Sequence, residues 1–170
     1  PNRLDCGSGL HHVCAAAVAF LAAAATVRVL RKAGWFARRP EPDLLGLLDL
    51  VALATVCDVM PLTGFNRALV AQGLKVMARR GRAGIAALLD VTGARDAPSA
   101  HTLGFLLGPR INASGRIGEP DLGLRLLLCE DPVEARAMAE KLDAVNRRRQ
   151  EVEGEVLAAA HAMAERQVAE

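Results

Sequence analysis

The stretch Leu44-Leu-Gly-Leu-Leu-Asp-Leu-Val-Ala-Leu-Ala-Thr-Val-Cys-Asp-Val-Met-Pro61 decides the fold class, because it is the clearest buried element of the chain. Between residues 44 and 55 only Asp49 is charged, which indicates a buried helix, although periodicity alone leaves a strand open. Asp58 comes at the end of this apolar run. A carboxylate there is costly unless it is paired, hydrogen-bonded or bound to a metal ion. The alternative is an aspartate that only ends or caps the helix.

The composition also favours helices. The chain has 170 residues, enough for one ordinary domain, and 52% of them are hydrophobic against 24% charged, which excludes a disordered chain. Aromatic residues make up only 3%. The core must therefore consist of Ala, Leu and Val, which suits closely packed helices better than a sandwich of strands. We predict a mainly α fold.

Caps and chain breaks place the other helices. The predicted spans are residues 11–33 (closed by Gly34), 66–80 (capped by Asn66), 85–92, 100–107 (capped by Ser99) and 121–129 (capped by Asp121). The helix over residues 11–33 should bury a nearly continuous apolar face against a sheet or other helices.

A much longer helix is predicted at the end of the chain. Asp131 is a suitable N-cap and Pro132 suits the first helical position, and the helix they open extends nearly to Glu170. Its apolar positions form only a thin stripe that includes Val133, Ala137 and Leu142. A helix of this length exceeds what one compact domain usually accommodates, so we interpret it as a connector.

The run Gly108-Pro-Arg-Ile-Asn-Ala-Ser-Gly-Arg116 is a candidate binding site. Its glycines and prolines predict an irregular loop over residues 108–120. Backbone N–H groups of such a loop, with the side chains of Arg110, Asn112, Ser114 and Arg116, would form a phosphate cradle. The alternative is an ordinary Gly/Arg surface loop.

The run Asn146-Arg-Arg-Arg-Gln150 lies on the long helix. Asn146 and Gln150 share one face at i, i+4 and, with the arginines, could contact a sugar-phosphate backbone. The alternative is a solvated face with an Arg147–Glu151 ion pair.

Several classes of protein are disfavoured. A net charge of +2 is too small to indicate nucleic-acid binding by itself. The longest apolar run, residues 13–27, is too short for a membrane span. The adjacent His11 and His12 point about 100° apart on a helix and would seldom bind one ion together. Without a CxxC pair, the cysteines are interpreted as buried, reduced thiols: Cys6, Cys14, Cys57 and Cys129.

Three blocks together resemble the RecJ branch of the DHH phosphoesterase superfamily. They are Leu50-Val-Ala-Leu-Ala-Thr-Val-Cys-Asp-Val-Met-Pro-Leu62, Leu103-Gly-Phe-Leu-Leu-Gly-Pro-Arg-Ile-Asn-Ala-Ser-Gly-Arg-Ile117 and Leu142-Asp-Ala-Val-Asn-Arg-Arg-Arg-Gln-Glu151. The resemblance implies a site of two Mn²⁺ or Mg²⁺ ions that activate water. Asp58 would be the last metal-binding aspartate of that site.

The resemblance also implies roles for the other candidates. Arg110 and Asn112 would contact the scissile or a neighbouring phosphate, with Arg116 in support and Ser114 in the same cradle. Asn146 and Gln150 would line the path of the DNA.

The same resemblance implies a division of the chain. Residues 1–130 would be the later, helical part of an α/β DHH catalytic domain, and residues 131–170 the connector to a DHH-associated domain. The Asp-His-His motif itself would precede residue 1, since His11-His12 has no preceding aspartate. With a single metal ligand, the isolated chain is expected to be inactive.

The activity implied is that of a cytoplasmic, metal-dependent 5′-to-3′ exonuclease acting on single-stranded DNA in DNA repair and recombination. A single-stranded-DNA-binding protein and a helicase are the expected protein partners, and no membrane is expected. One alternative is a DHH phosphodiesterase acting on oligonucleotides or cyclic dinucleotides. The other is a non-catalytic helical module that binds nucleic acid.

Overall fold

The structure, a computed structural model, describes residues 7–169 and contains helices but no strand in that range. The predicted mainly α fold is confirmed. The helices are α1 (Ala15–Lys32), α2 (Leu48–Cys57), α3 (Gly64–Ala78), α4 (Ala83–Val91), α5 (Gly108–Ser114), α6 (Leu122–Leu128) and α7 (Pro132–Ala169). Short 3-10 helices cover Trp35–Ala37 and Leu45–Leu47, and a π-helix covers Thr102–Leu107. Within the described range no helix is long and apolar enough to cross a membrane.

The chain divides into two compact units. Unit 1 comprises the described residues of Pro1–Gly81 together with Asp96–Phe105, and unit 2 those of Arg82–Arg95 together with Leu106–Glu170.

Unit 1 is built around α2, which packs against α1 and α3. The predicted buried helix is thus confirmed. At the crossing of α2 and α3 the backbones come so close that a Cβ atom on Gly73 would lie 2.2 Å from the Leu48 carbonyl oxygen. The core cluster of this unit contains Val13, Cys14, Ala17, Leu48, Val51 and Leu69.

The expectation for α1 holds only in part. It begins at Ala15 rather than at residue 11, because Cys14 is extended (φ −73°, ψ 165°). Of its side chains only Ala17 and Val27 are buried among the described residues. The predicted stop is confirmed, since Gly34 adopts φ +73° directly after the C-cap residue Ala33.

Unit 2 packs α4, α5 and α6 against the first half of α7. A Cβ atom on Gly84 of α4 would lie 2.0 Å from the Leu126 carbonyl oxygen of α6. The predicted start of α7 is confirmed, because Asp131 Oδ1 accepts a hydrogen bond of 2.7 Å from the N–H of Val133.

The buried stripe of α7 differs from the prediction. Val133 and Ala137 are exposed, whereas the buried apolar residues are Ala135, Met138, Ala139 and Leu142. The buried face of α7 thus combines two alanines with Met138 and Leu142, and of the three predicted positions named above only Leu142 lies on it. Beyond Val152 the described side chains, as far as residue 167, are exposed apart from a half-buried Ala162, and Gly154 has no atom within 4 Å of its Cβ position.

Two local predictions were wrong. Residues 108–114 are helical rather than a loop, because Pro109 falls in the first turn of α5, where a missing N–H is tolerated. Asn66 does not cap α3, since the helix begins at Gly64 and the cap position is Thr63.

Of the thiols, Cys14 is buried, Cys57 and Cys129 are half-buried, and Cys6 lies outside the described residues.

Asn66 instead ties two loops of unit 1 together. Its fully buried amide donates hydrogen bonds to the carbonyl oxygens of His12 (2.8 Å) and Pro61 (3.0 Å). Its Oδ1 has no hydrogen-bond partner among the described residues. One side chain therefore joins the segment before α1 to the segment after Asp58.

The C-terminal end of α2 is strained. Val59 adopts φ +55°, its N–H bonds to the Val56 carbonyl (3.0 Å), and the N–H of Met60 bonds to the Thr55 carbonyl (3.1 Å). This is the Schellman arrangement that normally carries glycine, as it does at Gly93 after α4. A β-branched residue in this conformation is unfavourable, and the Val59 side chain is 86% exposed, so little packing offsets the cost.

We predict that Val59→Gly raises the free energy of unfolding by about 1 kcal/mol, since the left-handed conformation costs an L-residue roughly 1–2 kcal/mol and glycine's greater unfolded-state entropy offsets part of the gain. Urea denaturation measures the change. The matched control Gly93→Val should lower stability, because it places the same strain at the end of α4. If Val59→Gly instead lowers the free energy of unfolding, the backbone of Val59 is not strained.

We predict that Asn66→Ala lowers the free energy of unfolding by about 3 kcal/mol, because two hydrogen bonds are lost and a buried cavity is left. The exposed Asn112→Ala should change it by less than about 0.5 kcal/mol. Equal small effects of the two substitutions in thermal or urea unfolding would show that the Asn66 bonds contribute little.

Candidate functional site

Asp58 lies at the exposed C-terminal end of α2. Among the described residues its carboxylate has no hydrogen-bond or ion-pair partner, so both oxygens remain available to a ligand. Burial, assisted by the negative charge of Asp58, raises the pKa of the adjacent Cys57 thiol to about 11. Cys57 is therefore protonated at neutral pH and does not present a thiolate beside the carboxylate.

The backbone that carries Asp58 is held from several sides. The Cys14 Sγ and Thr55 Oγ1 atoms lie 3.4 Å apart, which joins the start of α1 to the last turn of α2. The Cys57 thiol lies 3.8 Å from the Leu103 carbonyl oxygen, and Asn66 holds Pro61. An exposed carboxylate on an anchored backbone suits a ligand position better than a mobile surface aspartate does.

The described residues fit a two-ion centre only in part. No group of three or more His, Cys, Asp or Glu side chains that could hold a metal ion occurs among them. Mg²⁺ and Mn²⁺ favour several oxygen ligands, and one carboxylate cannot hold two such ions. Residues 7–169 can therefore offer Asp58 as one ligand and do not form the whole site.

Arg110 is bound within unit 2. Its Nε and Nη2 atoms donate to Asp143 Oδ1 at 2.9 and 2.8 Å, and its Nη1 donates to the Leu106 carbonyl at 2.7 Å. The two side chains are only 15% and 12% exposed, so this ion pair joins α5 firmly to α7. A guanidinium has five N–H groups, and these contacts use three of them.

The other side chains of residues 108–116 separate into two groups. Ser114 is buried, and its hydroxyl donates to the Ile111 carbonyl at 2.9 Å. It lies against α6, since a Cβ atom on Gly123 would be 3.6 Å from Ser114 Oγ. Asn112 and Arg116 are exposed. Neither has a side-chain hydrogen bond or ion pair within the range that the structure covers. These two are the donors of the run that a ligand could reach directly.

Asn146 and Gln150 do not share one environment. Asn146 is 2% exposed and its Oδ1 accepts a hydrogen bond of 3.3 Å from Arg149 Nε, whereas Gln150 is exposed. The arginines between them are all paired with carboxylates, namely Arg147 with Asp143, Arg148 with Glu151 and Arg149 with Glu153. The expected salt-bridged face exists, but Arg147 pairs with Asp143 instead of Glu151.

Two contributors were missed by sequence reasoning. Asp143 holds both Arg110 and Arg147, and only the i, i+4 spacing to Arg147 was visible in the sequence. Asn66 looked like a helix cap because asparagine favours that position. Its bond to His12, 54 residues away, has no local signal.

Comparison with known proteins gives the same family as the sequence blocks. No protein-family model matches the chain. The chain is 49% identical over 158 residues to the single-stranded-DNA-specific exonuclease RecJ of Dickeya dadantii (strain 3937), and 46% identical over 158 residues to that of Escherichia coli (strain K12). Each match covers 90% of this chain and 27% of the relative.

Solved structures agree with these relatives. RecJ from Thermus thermophilus in complex with Mg²⁺ matches with a TM-score of 0.65 and 39% identity, over 71% of this chain and 19% of that one. An exonuclease RecJ bound to manganese matches with a TM-score of 0.65 and 38% identity, over 74% of this chain and 32% of that one. The predicted resemblance is confirmed: the chain belongs to the RecJ family and spans about a quarter of the length of the curated relatives it matches.

Proposed function

We propose that the natural protein containing this chain is an exonuclease that hydrolyses phosphodiester bonds of single-stranded DNA, with 5′-to-3′ polarity. The observation that carries the proposal is the 49% identity over 158 residues to a single-stranded-DNA-specific exonuclease. The proposed setting is the cytoplasm, in DNA repair and recombination, with a single-stranded-DNA-binding protein and a helicase as partners.

The proposed cofactor is a pair of Mn²⁺ or Mg²⁺ ions, which would activate water for in-line attack on phosphorus. Similar structures contain one or the other of these metals. Asp58 is proposed as a ligand because its exposed carboxylate has no partner among the described residues and its backbone is anchored. The other ligands would come from residues outside 7–169.

Arg110 is proposed to contact a phosphate of the bound strand. Asp143 and the Leu106 carbonyl fix the orientation of its guanidinium, and two N–H groups remain for an anion. Asn112 and Arg116, both exposed, would bind the neighbouring backbone, and Ser114 would support them from inside α5. A preformed fork of this kind binds phosphate without reorganising.

The long helix is proposed as the edge of the DNA path. Gln150 would contact the strand, and the buried Asn146 would orient Arg149 through their hydrogen bond. Residues 1–130 are proposed as part of the catalytic domain and residues 131–170 as the connector. The exposed side chains of α7 after Val152 support the connector role.

We predict that Asp58→Asn in the natural protein lowers its rate of single-stranded-DNA cleavage by roughly 100-fold or more, since even outer-shell changes at metal sites cost 10- to 100-fold. The control is Asp121→Asn, an exposed aspartate before α6 that makes no capping bond. Calorimetric titration should show weaker Mn²⁺ binding by the Asp58→Asn variant and unchanged Mn²⁺ binding by the Asp121→Asn control. Unchanged cleavage and Mn²⁺ binding would exclude Asp58 as a ligand.

We predict that Asp143→Leu lowers the free energy of unfolding by about 3 kcal/mol, because it leaves the largely buried guanidinium of Arg110 without its carboxylate. Arg110→Met should lower it by less, because Arg147 still pairs with Asp143. The double variant should recover much of this loss, since an apolar pair replaces the ion pair. Cleavage by the double variant should stay low, because the phosphate contact is still missing. If activity returns together with stability, Arg110 has only a structural role.

A further inference from the structure

The C-terminal end of α1 carries concentrated positive charge. Residues 28–43 contain five basic and two acidic side chains, a net charge of +3, against +2 for the whole chain. The surface in question, named here the α1-end cluster, consists of Arg28, Arg31, Lys32, Trp35, Arg38 and Arg39, all of them exposed.

Most of these cations are free to bind a ligand. Glu41 pairs with Arg31, and the Asp43 carboxylate accepts a hydrogen bond from the Gly46 N–H. Within the range that the structure describes, Arg28, Lys32 and Arg38 make no ion pair. The two carboxylates of the segment therefore leave most of its positive charge available for an anionic partner.

The backbone brings the cations onto one surface. Arg28, Arg31 and Lys32 lie at i, i+3 and i+4, which is one face of α1. The left-handed Gly34 then turns the chain, and the 3-10 helix Trp35–Ala37 packs against α1. Arg38 and Arg39 follow directly, so basic side chains lie on both sides of the turn.

The aromatic member of the cluster is the feature that points to a class of ligand. Trp35 is the one tryptophan of a chain with only five aromatic side chains, and it is 48% exposed. Arg39 lies over its ring, with Cζ 4.1 Å from the ring centroid. Surfaces that bind single strands combine backbone-tracking cations with aromatic and guanidinium planes on which bases stack.

We propose that the α1-end cluster binds single-stranded DNA, with phosphates on the basic side chains and an unpaired base stacked at Trp35. An acidic peptide would use the cations but not the ring, and a duplex has no free base to stack. The proposal rests on the proposed exonuclease function and adds a second contact for its substrate.

Within unit 1 the cluster lies at the C-terminal end of α1, whereas Asp58 follows the last turn of α2, which contacts the residue before α1. The helix has 18 residues, about 27 Å at 1.5 Å per residue. Its N-terminal end is joined to the last turn of α2 through the contact of Cys14 with Thr55. At the 3.4 Å spacing of a fully base-stacked strand, about eight nucleotides span this length, and a more extended strand needs fewer. The cluster should therefore affect long strands and not trinucleotides.

The test is fluorescence anisotropy with the natural protein in metal-free buffer, where no cleavage occurs. The probes are a long oligothymidylate, an abasic strand of the same length and an oligoglutamate peptide. Trp35→Ala should weaken oligothymidylate binding about tenfold, the value of one stacked base, and leave the abasic strand unchanged. Trp35→Phe should restore most of the affinity, which separates stacking from a folding defect.

The charge contribution is measured with Arg28→Gln combined with Arg38→Gln. This double variant should weaken binding of both strands and make the slope of log K against log salt shallower by about 1.4, since each phosphate contact contributes about 0.7. Arg79→Gln, an exposed arginine at the end of α3, is the matched control and should change neither quantity.

Three outcomes would overturn the proposal. The first is an unchanged affinity of the cluster variants for oligothymidylate. The second is a loss of affinity with Trp35→Ala that is equal for the normal and the abasic strand, and the third is a loss of affinity for oligoglutamate alone, which would identify an acidic protein partner. Failure of the proposed exonuclease function has a different signature. The unaltered protein would then bind oligothymidylate through the cluster but not cleave it when Mn²⁺ is added.

Discussion

Close approach of helix backbones is the constraint on which the rest of the structure depends. With few aromatic side chains to fill space, the helices can exclude water only by packing at short distance. The structure achieves this at two glycines, Gly73 between α3 and α2 and Gly84 between α4 and α6. In both places a Cβ atom would overlap a carbonyl oxygen of the neighbouring helix, so even alanine would force the helices apart.

Within units packed in this way, a few buried polar contacts hold the candidate residues or the backbone next to them. Apolar contacts between Ala, Leu and Val are not directional, whereas the bonds of Asn66 and the Arg110–Asp143 pair have defined geometry. Asn66 fixes the loop after Asp58, and Asp143 fixes the guanidinium of Arg110. In each unit, a largely buried polar contact thus holds a candidate residue or the backbone beside it.

Features determined by neighbouring residues could be predicted from the sequence, and those determined by distant contacts could not. The apolar run of α2, the stop at Gly34 and the cap at Asp131 depend on a few adjacent positions. Residues 108–114 were misjudged because glycine and proline break helices in general, yet Pro109 occupies a position where proline is tolerated. The partner of Arg110 is 33 residues away, and the burial of Asn146 depends on which face of α7 packs within unit 2. Neither feature can be recognised from residues that are close together in the sequence.

The position of Gly154 has a mechanical consequence for α7. The helix is 38 residues long, about 57 Å, and its packed half ends at Val152, two residues before this glycine. Glycine in a helix interior costs about 1 kcal/mol relative to alanine, so the helical conformation of α7 is locally least favourable just beyond the point where its packing ends. Beyond Gly154 the helix is held by its own backbone hydrogen bonds rather than by side-chain packing, so bending it costs least free energy at this glycine.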